Sequence, residues 1–329
     1  MITFLKILRL LPPEIAHGLA LNALNILYRT RLLRFFYVKP KANPQIFAGL
    51  TFQNMLGTAA GLDKNGDYID CLGELGFGFL EVGTVTPEKQ YGNSKPRVFR
   101  YFEENAIINK LGFNNKGVDH LLKNLKSKKY DGIVGVNVGA NKWSSEKERV
   151  QDYLLCIEKV YKHADYITVN ISSPNTPKLR EFHNEKNITG LVDAIDSKVS
   201  ELNIQTPLLL KISPDESKES IDRIIEVVKK SKFTGIIATN TTTDKSSLSN
   251  SKLRDIDGGL SGEPLLKKST DTLRYIKNKS DNQIPVIGVG GVMDSQSFNE
   301  KIQAGSSLVQ IYTGFVIKGP SIVSEILGN

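Results

Sequence analysis

Short apolar runs recur along the chain, separated by longer stretches with the spacing of amphipathic helices. The runs fall at residues 55–59, 79–83, 133–138, 166–170, 208–212, 236–239, 285–288 and 308–311, eight in all. Continuous apolar runs fit strands covered on both faces, whereas a half-exposed strand alternates. Helical patterns occupy residues 67–75, 116–125, 144–160, 188–202, 220–230, 270–279 and 295–304. Strands that alternate with helices pair in parallel through crossovers. Eight such repeats predict an α/β fold, a closed (β/α)8 barrel. An open doubly wound sheet would have fewer strands and a G-x-G-x-x-G turn after the first, and that turn is missing here.

Three stretches depart from the repeat. Residues 2–10 and 14–28 read as two helices broken at Pro12-Pro13, and proline is tolerated in a helix's first turn. In the second, Ile15, Leu19, Ala23 and Leu27 recur every fourth residue beside Ala16, Ala20 and Leu24, an apolar stripe. Leu32-Leu33 and Phe35-Phe36 add apolar mass, and the prolines of Lys39-Pro40-Lys41-Ala42-Asn43-Pro44 mark a boundary. The expected organisation is a helical extension over residues 1–40 and a barrel over residues 41–329. Residues 99–101 and 106–108, around Glu103-Glu104-Asn105, predict a small hairpin on the barrel mouth. Residues 241–264 form a long polar insertion after the sixth strand, the usual form of a lid or loop.

Charge changes the picture of the extension. The net charge of the 329-residue chain is +8. Lys6, Arg9, Arg29, Arg31, Arg34, Lys39 and Lys41 against Glu14 alone give the first 41 residues +6, leaving only +2 for the rest. A basic, apolar arm suits an anionic membrane surface and not a nucleic-acid groove. No apolar run reaches the ~18 residues that span a bilayer, and the start lacks the small-residue cleavage site of a signal peptide. Hydrophobic content of 40% and charged content of 24% are those of an ordinary globular protein. Cys71 and Cys156, alone and far apart, suit buried reduced thiols.

Candidate chemistry collects where strands end, at the face that carries function in this fold. The first strand runs into Ala59-Ala60-Gly61-Leu62-Asp63-Lys64-Asn65-Gly66, where small residues allow close approach of a flat ligand and Lys64 offers a charge for an anion. The second leads to Gly83-Thr84, and the hairpin to Asn109-Lys110-Leu111-Gly112-Phe113-Asn114-Asn115. The third ends in Asn137 and the fourth in Asn170, ahead of Ile171-Ser172-Ser173-Pro174-Asn175-Thr176-Pro177. The fifth ends in Lys211 and the sixth in Thr239-Asn240-Thr241. A lone asparagine at such a place is ordinarily a turn or cap residue. Asn109, Asn137, Asn170, Asn175 and Asn240 crowded on one face instead suit a planar ligand with alternating N–H and C=O edges, a pyrimidine or flavin ring. The seventh and eighth strands end in Gly288-Val289-Gly290-Gly291 and Tyr312-Thr313-Gly314, a recurrent phosphate position. A planar cofactor bearing a phosphate is expected, and FMN fits, one per chain. Lys211 would supply a cation beside flavin N1, where reduction leaves negative charge. His120, His163 and His183 have no metal spacing, so no metal is expected, and no serine sits on a nucleophile elbow.

Several of these motifs together resemble the dihydroorotate dehydrogenase family: the stretches at residues 59–65, 109–115 and 170–177, with Ile237-Ala238-Thr239-Asn240-Thr241-Thr242, Gly258-Gly259-Leu260-Ser261-Gly262 and Val309-Gln310-Ile311-Tyr312-Thr313-Gly314. The resemblance runs from about Leu8 to the C-terminus, and Leu11-Pro12-Pro13-Glu14-Ile15-Ala16-His17 points to the quinone-linked class. It implies oxidation of (S)-dihydroorotate to orotate in UMP biosynthesis, with FMN as hydride acceptor and a membrane quinone as final oxidant. Ser173 would take a proton from C5 while hydride leaves C6 for flavin N5; the other class uses a cysteine. Serine is a poor base at its free pKa, so a relay through Thr176 or an ordered water is expected.

By the same resemblance Lys64, Asn109, Lys110, Leu111, Gly112, Phe113, Asn170, Asn175, Asn240 and Thr241 hold substrate. Ala60, Gly61, Leu62, Asp63, Lys64, Thr84, Asn137, Asn170, Lys211, Thr239, Gly262, Gly291, Tyr312 and Thr313 hold FMN. His17 and Arg100 match polar residues near the quinone head, and the two N-terminal helices form a membrane-facing funnel. The expected protein is peripheral to the cytoplasmic face of the cell (inner) membrane, with no nucleic-acid partner; its oligomeric state stays open, a monomer being favoured. A 2-hydroxy-acid oxidase would want a histidine base and paired arginines near the flavin, which the late strands lack. A soluble fumarate- or NAD-linked relative would lack the arm and carry the cysteine. A catalytically silent flavin sensor would not need Ser173, Lys64 and the asparagines together.

Overall fold

The computed structural model describes residues 8–175 and 185–328. Eight parallel strands close into a barrel in the order β10-β12-β13-β3-β4-β7-β8-β9, with β9 paired to β10. These are β3 (Leu56–Thr58), β4 (Phe79–Val85), β7 (Ile133–Val138), β8 (Tyr166–Asn170), β9 (Leu208–Ile212), β10 (Phe233–Ala238), β12 (Val286–Val289) and β13 (Leu308–Ile311). Each is the strand expected at its place, with ends shifted by a few residues. Nearly every residue in them is buried, because helices cover one face and the barrel's own interior covers the other.

The crossover helices that follow are α3 (Ile69–Gly73), α4 (Val118–Ser127), α5 (Glu146–Val160), α6 (Glu185–Glu201), α7 (Lys218–Lys230), α8 (Leu266–Lys279) and α9 (Ser295–Gln303). Their starts are set locally: Ser145 and Glu148 form a capping box on α5, and the Ser217 side chain accepts the Ser220 N–H on α7. After β13 come two short helices that periodicity did not predict, α10 (Thr313–Lys318) and α11 (Ser321–Leu327), divided at Gly319-Pro320.

A hairpin of β1 (Gln45–Phe47) and β2 (Leu50–Phe52) packs against the barrel interior. Phe52 meets Phe79 edge-on at 5.2 Å between ring centroids, within a cluster that includes Phe47, Tyr166, Leu209, Ile287 and Leu308. Further up, the interior turns polar. Buried Glu81 accepts from Gln310 Nε2 (2.6 Å), Asn137 Nδ2 (2.8 Å), the Tyr166 hydroxyl (3.0 Å) and Thr168 Oγ1 (3.2 Å).

The expected mouth hairpin is β5 (Val98–Tyr101) and β6 (Ala106–Asn109), but it belongs to a three-stranded sheet. The third strand, β11 (Gly259–Gly262), comes from the end of the polar insertion and pairs antiparallel with β6. The insertion is also tied down at its start. Asp215 accepts from Thr242 Oγ1, from the Thr243 N–H (2.8 Å) and from Lys268 Nζ (2.7 Å).

In the arm, residues 8–10 are helical, and α1 (Pro13–Arg29) and α2 (Leu33–Phe36) follow. Residues 1–7 of the expected first helix lie outside the described residues. The apolar stripe of α1 is split: Ala16 and Leu24 are buried, as is Leu21 outside the stripe, but Ile15 and Leu19 are 54% and 48% exposed.

Candidate functional site

A cleft of about 970 Å³, counting its open mouth, lies at the C-terminal ends of the barrel strands. It is lined by Ala60, Gly61, Lys64, Thr84, Asn109, Leu111, Gly112, Phe113, Asn170, Ser173, Asn175, Lys211, Thr239, Asn240, Thr241, Gly262, Gly291, Tyr312 and Thr313, all expected from sequence. Each is delivered by the end of a strand or the loop after it, so parallel winding brings residues as far apart as Ala60 and Thr313 to one place.

The asparagines do converge, and they hold each other. Asn170 Nδ2 donates to Thr84 Oγ1 and to Asn137 Oδ1, both at 3.1 Å. Its Oδ1 accepts from Ser172 Oγ at 2.9 Å and the Ser172 N–H at 3.2 Å. Ser172 Oγ accepts in turn from Asn240 Nδ2 at 2.9 Å. Asn175 Nδ2 donates to the Asn109 carbonyl at 3.0 Å. These bonds fix which amide end each side chain presents. Asn137 itself lies beneath the cleft, between Thr84 and Glu81, and positions others instead of lining the wall. The Lys110 side chain points to Asp257 at 4.0 Å and also leaves the wall to its neighbours.

Two expected cofactor residues serve the loop itself. The Asp63 carboxylate accepts the N–H groups of Tyr68 (2.7 Å), Asp67 (3.0 Å) and Asn65 (3.3 Å), and burial pushes its pKa up to about 6. Leu62 turns its side chain into a second cavity. The wall also contains Leu265 and Val292, which lie outside every motif, and the motif members Ala59, Ser261, Val289, Gly290, Gln310 and Ile311, to which the sequence assigned no individual role.

Charge in the cleft comes from two lysines. Lys211 is buried; burial pushes its pKa down, and Glu81 below it pulls the other way. Lys64 donates to the Gly61 carbonyl at 2.7 Å, and burial brings its pKa to about 8. At the far end the backbone is bare. A Cβ on Gly291, whose φ is +85°, would lie 2.3 Å from Leu266 Cα. Glycine is therefore required where this loop packs on the start of α8, and the Gly290-Gly291 main chain lines the cleft without side chains.

The second cavity, about 1430 Å³, lies between the arm and the barrel. Its walls are mainly apolar: Ala16, Ala20, Leu24, Leu27, Phe36, Leu62, Val316 and Pro320, with His17 and Arg100 among the few polar groups. Arg100 donates to the carbonyls of Leu11 (2.5 Å), Leu8 (3.3 Å) and Arg9 (3.4 Å), bracing the arm's entry. Burial and the Lys64 charge push the His17 pKa down to about 4, so its imidazole is neutral at pH 7. The two cavities share a wall. Gly61 lines the first and Leu62 the second; Tyr312 and Thr313 line the first and Phe315 and Val316 the second.

Neither thiol reaches the cleft. Cys71 is on α3 and Cys156 on α5, both buried, and burial pushes Cys71 up to about 12 and Cys156 well above its ordinary value. His120 pairs with Asp67 at 2.7 Å away from the cleft. Thr176 and His183 lie outside the described residues. Among the described residues no three His, Cys, Asp or Glu side chains could hold a metal ion, and no helix is long and apolar enough to cross a membrane.

The chain is similar to known proteins along nearly its whole length. A sequence profile described as dihydroorotate dehydrogenase matches residues 44–329. A "dihydroorotate dehydrogenase (quinone)" of Buchnera aphidicola is 46% identical over 329 residues, covering 98% of both chains. One from Aeromonas salmonicida is 47% identical, covering 96% of this chain and 95% of its own. Among solved structures, the Eimeria tenella enzyme in complex with ferulenol superposes with a TM-score of 0.87 at 31% identity, covering 96% of this chain and 89% of its own.

Proposed function

This chain belongs to the dihydroorotate dehydrogenase family, and from that premise we propose that it oxidises (S)-dihydroorotate to orotate with FMN and a membrane quinone. The observation that carries the reading is the shared wall: a polar cleft with a cationic, amide-rich lining lies back to back with an apolar cavity beneath the arm. A reaction with a polar reductant and a lipid-soluble oxidant needs such a pair of sites around one electron carrier.

The residues present fit FMN. Bare backbone at Gly290 and Gly291 suits the phosphate, small residues at 59–61 admit a flat ring, and buried Lys211 suits the ring's anionic edge. FMN, when bound, supplies the two-electron acceptor that divides the reaction into two halves. The chain's residues do the rest. Lys64 meets the substrate carboxylate, and the Asn109, Asn170, Asn175 and Asn240 amides meet the ring edges. Ser173, at the mouth of β8, takes the C5 proton. A cysteine base is disfavoured, because both thiols are buried on helices. In the second cavity neutral His17 and cationic Arg100 offer polar partners for a quinone head.

The exposed Ile15, Leu19, Ile26, Phe35 and Phe36 stand beside Arg29, Arg31 and Arg34. Apolar side chains ringed by cations favour an anionic bilayer surface. On this reading the protein is peripheral to the cell (inner) membrane, with residues 1–40 as the membrane-associating, quinone-channel extension and 41–329 as the catalytic barrel; the monomer and the cytoplasmic face are part of the same proposal and do not follow from the arm. The test is orotate formation from dihydroorotate with a soluble ubiquinone analogue, fumarate or NAD as sole oxidant. Orotate with the quinone alone is expected; turnover with fumarate or NAD would overturn the class.

A further inference from the structure

Glu14 lies in the first turn of α1, on the arm, and does not line the cavity beneath it. Its carboxylate receives the Arg97 guanidinium through Nη2 at 2.8 Å and Nε at 3.1 Å to Oε1, with Nε 3.3 Å from Oε2. Arg97 is buried. A forked pair of this kind fixes orientation as well as charge.

The rest of Arg97 faces the substrate side. Its Nη1 donates to the carbonyls of Tyr91 and Asn93, and its own carbonyl accepts the Lys110 N–H at 2.8 Å. Asn93 then spans to both substrate-side segments. Its N–H donates to the Leu111 carbonyl at 3.0 Å, and its Nδ2 to the carbonyls of Lys110 at 3.0 Å and Asn175 at 3.2 Å. Asn175 closes the chain onto Asn109. There is little slack: a Cβ on Gly92 would lie 2.2 Å from the Leu111 carbonyl oxygen and 2.8 Å from Arg97 Nη1. Asn109, Leu111 and Asn175 all line the cleft. A continuous set of bonds thus runs from the arm to the cleft's substrate side, and Glu14 is its outer anchor.

We propose that Glu14 and Arg97 are positioning residues through which the docked arm sets the substrate-binding segments, so that affinity for dihydroorotate and orotate depends on the arm. The proposal rests on the reading of the two cavities given above. Without the Glu14 charge, Arg97 is a buried cation held only by carbonyls, which favours rearrangement of the segment it organises. Coupling of binding sites is reciprocal, so a ligand in the arm cavity changes orotate affinity by the same factor that orotate changes its own.

The test uses full-length, FMN-loaded protein. Orotate dissociation constants are read from the perturbation of flavin absorbance, and KM values are measured separately for dihydroorotate and a soluble quinone analogue. Glu14→Gln is expected to raise the orotate dissociation constant and the dihydroorotate KM about tenfold, leaving flavin reoxidation by the quinone nearly unchanged. Glu14→Asp, which keeps the charge, should recover most of the affinity. Arg97→Gln should match Glu14→Gln, and the double variant should add nothing further. Should Arg97→Gln fail to fold, the Gln and Asp variants of partly exposed Glu14 still decide. Orotate affinity in Glu14→Gln within about twofold of the wild type overturns the proposal, as does an effect confined to the quinone half-reaction. Those results leave the dihydroorotate reading intact; a wild-type protein that binds no orotate overturns both.

Discussion

The main-chain N–H of Asn175 donates to the Ser173 hydroxyl oxygen at 3.3 Å, within the loop that follows β8. A donor placed there stabilises the negative charge that builds on the oxygen as its proton leaves. Ser173→Ala is expected to slow flavin reduction by dihydroorotate by ~10²–10⁴-fold, with reoxidation by quinone unchanged. Stopped-flow measurement of the two half-reactions checks this, and near-normal reduction by the variant would remove Ser173 as the base.

Lys64 is expected to set the alkaline behaviour. Burial brings its pKa to about 8, against the charges of Glu14 and Asp63 that pull it up. The ammonium, the form that pairs with the substrate carboxylate, predominates below that value and is lost above it. A profile of kcat/KM for dihydroorotate should therefore fall as pH rises through about 8. Lys64→Arg, whose guanidinium keeps its proton, should lower the maximum and remove the limb. A limb that persists in this variant belongs to another group.

Lys211 is expected to tune the cofactor. A charge-assisted hydrogen bond contributes ~1.5–3 kcal/mol, which for a two-electron couple is roughly 30–60 mV. Lys211→Met should lower the midpoint potential of the bound flavin by an amount of that order, measured by equilibration with a reference dye. An unchanged or raised potential would place the cation elsewhere.

Much of this architecture was legible in sequence because the physics behind it is local. Barrel strands buried on both faces read as plain apolar runs, and asparagine, lysine and glycine at their ends stand out against that background. What escaped depends on distant partners. Strand β11 is Gly259-Leu260-Ser261-Gly262, a turn-like composition that becomes a strand only by pairing with β6. The β1–β2 hairpin turns through Ala48 (φ 50°) and Gly49 (φ 78°), without the Asn-Gly that usually announces such a turn. Ser172 passed for a neighbour of Ser173, yet it ties Asn170 to Asn240. Gln310 and Glu81 did leave a signal, each a lone polar residue inside an apolar run, which in a barrel strand points to the interior. On α1 the stripe was legible but not which of its residues pack on the barrel, since an apolar stripe does not say whether protein or lipid will cover it.

The arm should separate the oxidants. His17→Ala and Arg100→Ala are expected to raise the KM for a quinone analogue about fivefold or more, with the dihydroorotate half-reaction unchanged. Binding to anionic vesicles should weaken as salt rises, because exposed charges are screened. Equal effects of these variants on both half-reactions would dissociate the second cavity from quinone.

The central claim is that one flavin serves both cavities, and anaerobic titration of the purified, FMN-loaded protein tests it most directly. Dihydroorotate should bleach the flavin absorbance, and a soluble ubiquinone analogue added afterwards should restore it. Failure of dihydroorotate to bleach, or recovery with fumarate or NAD but not with quinone, would contradict the account.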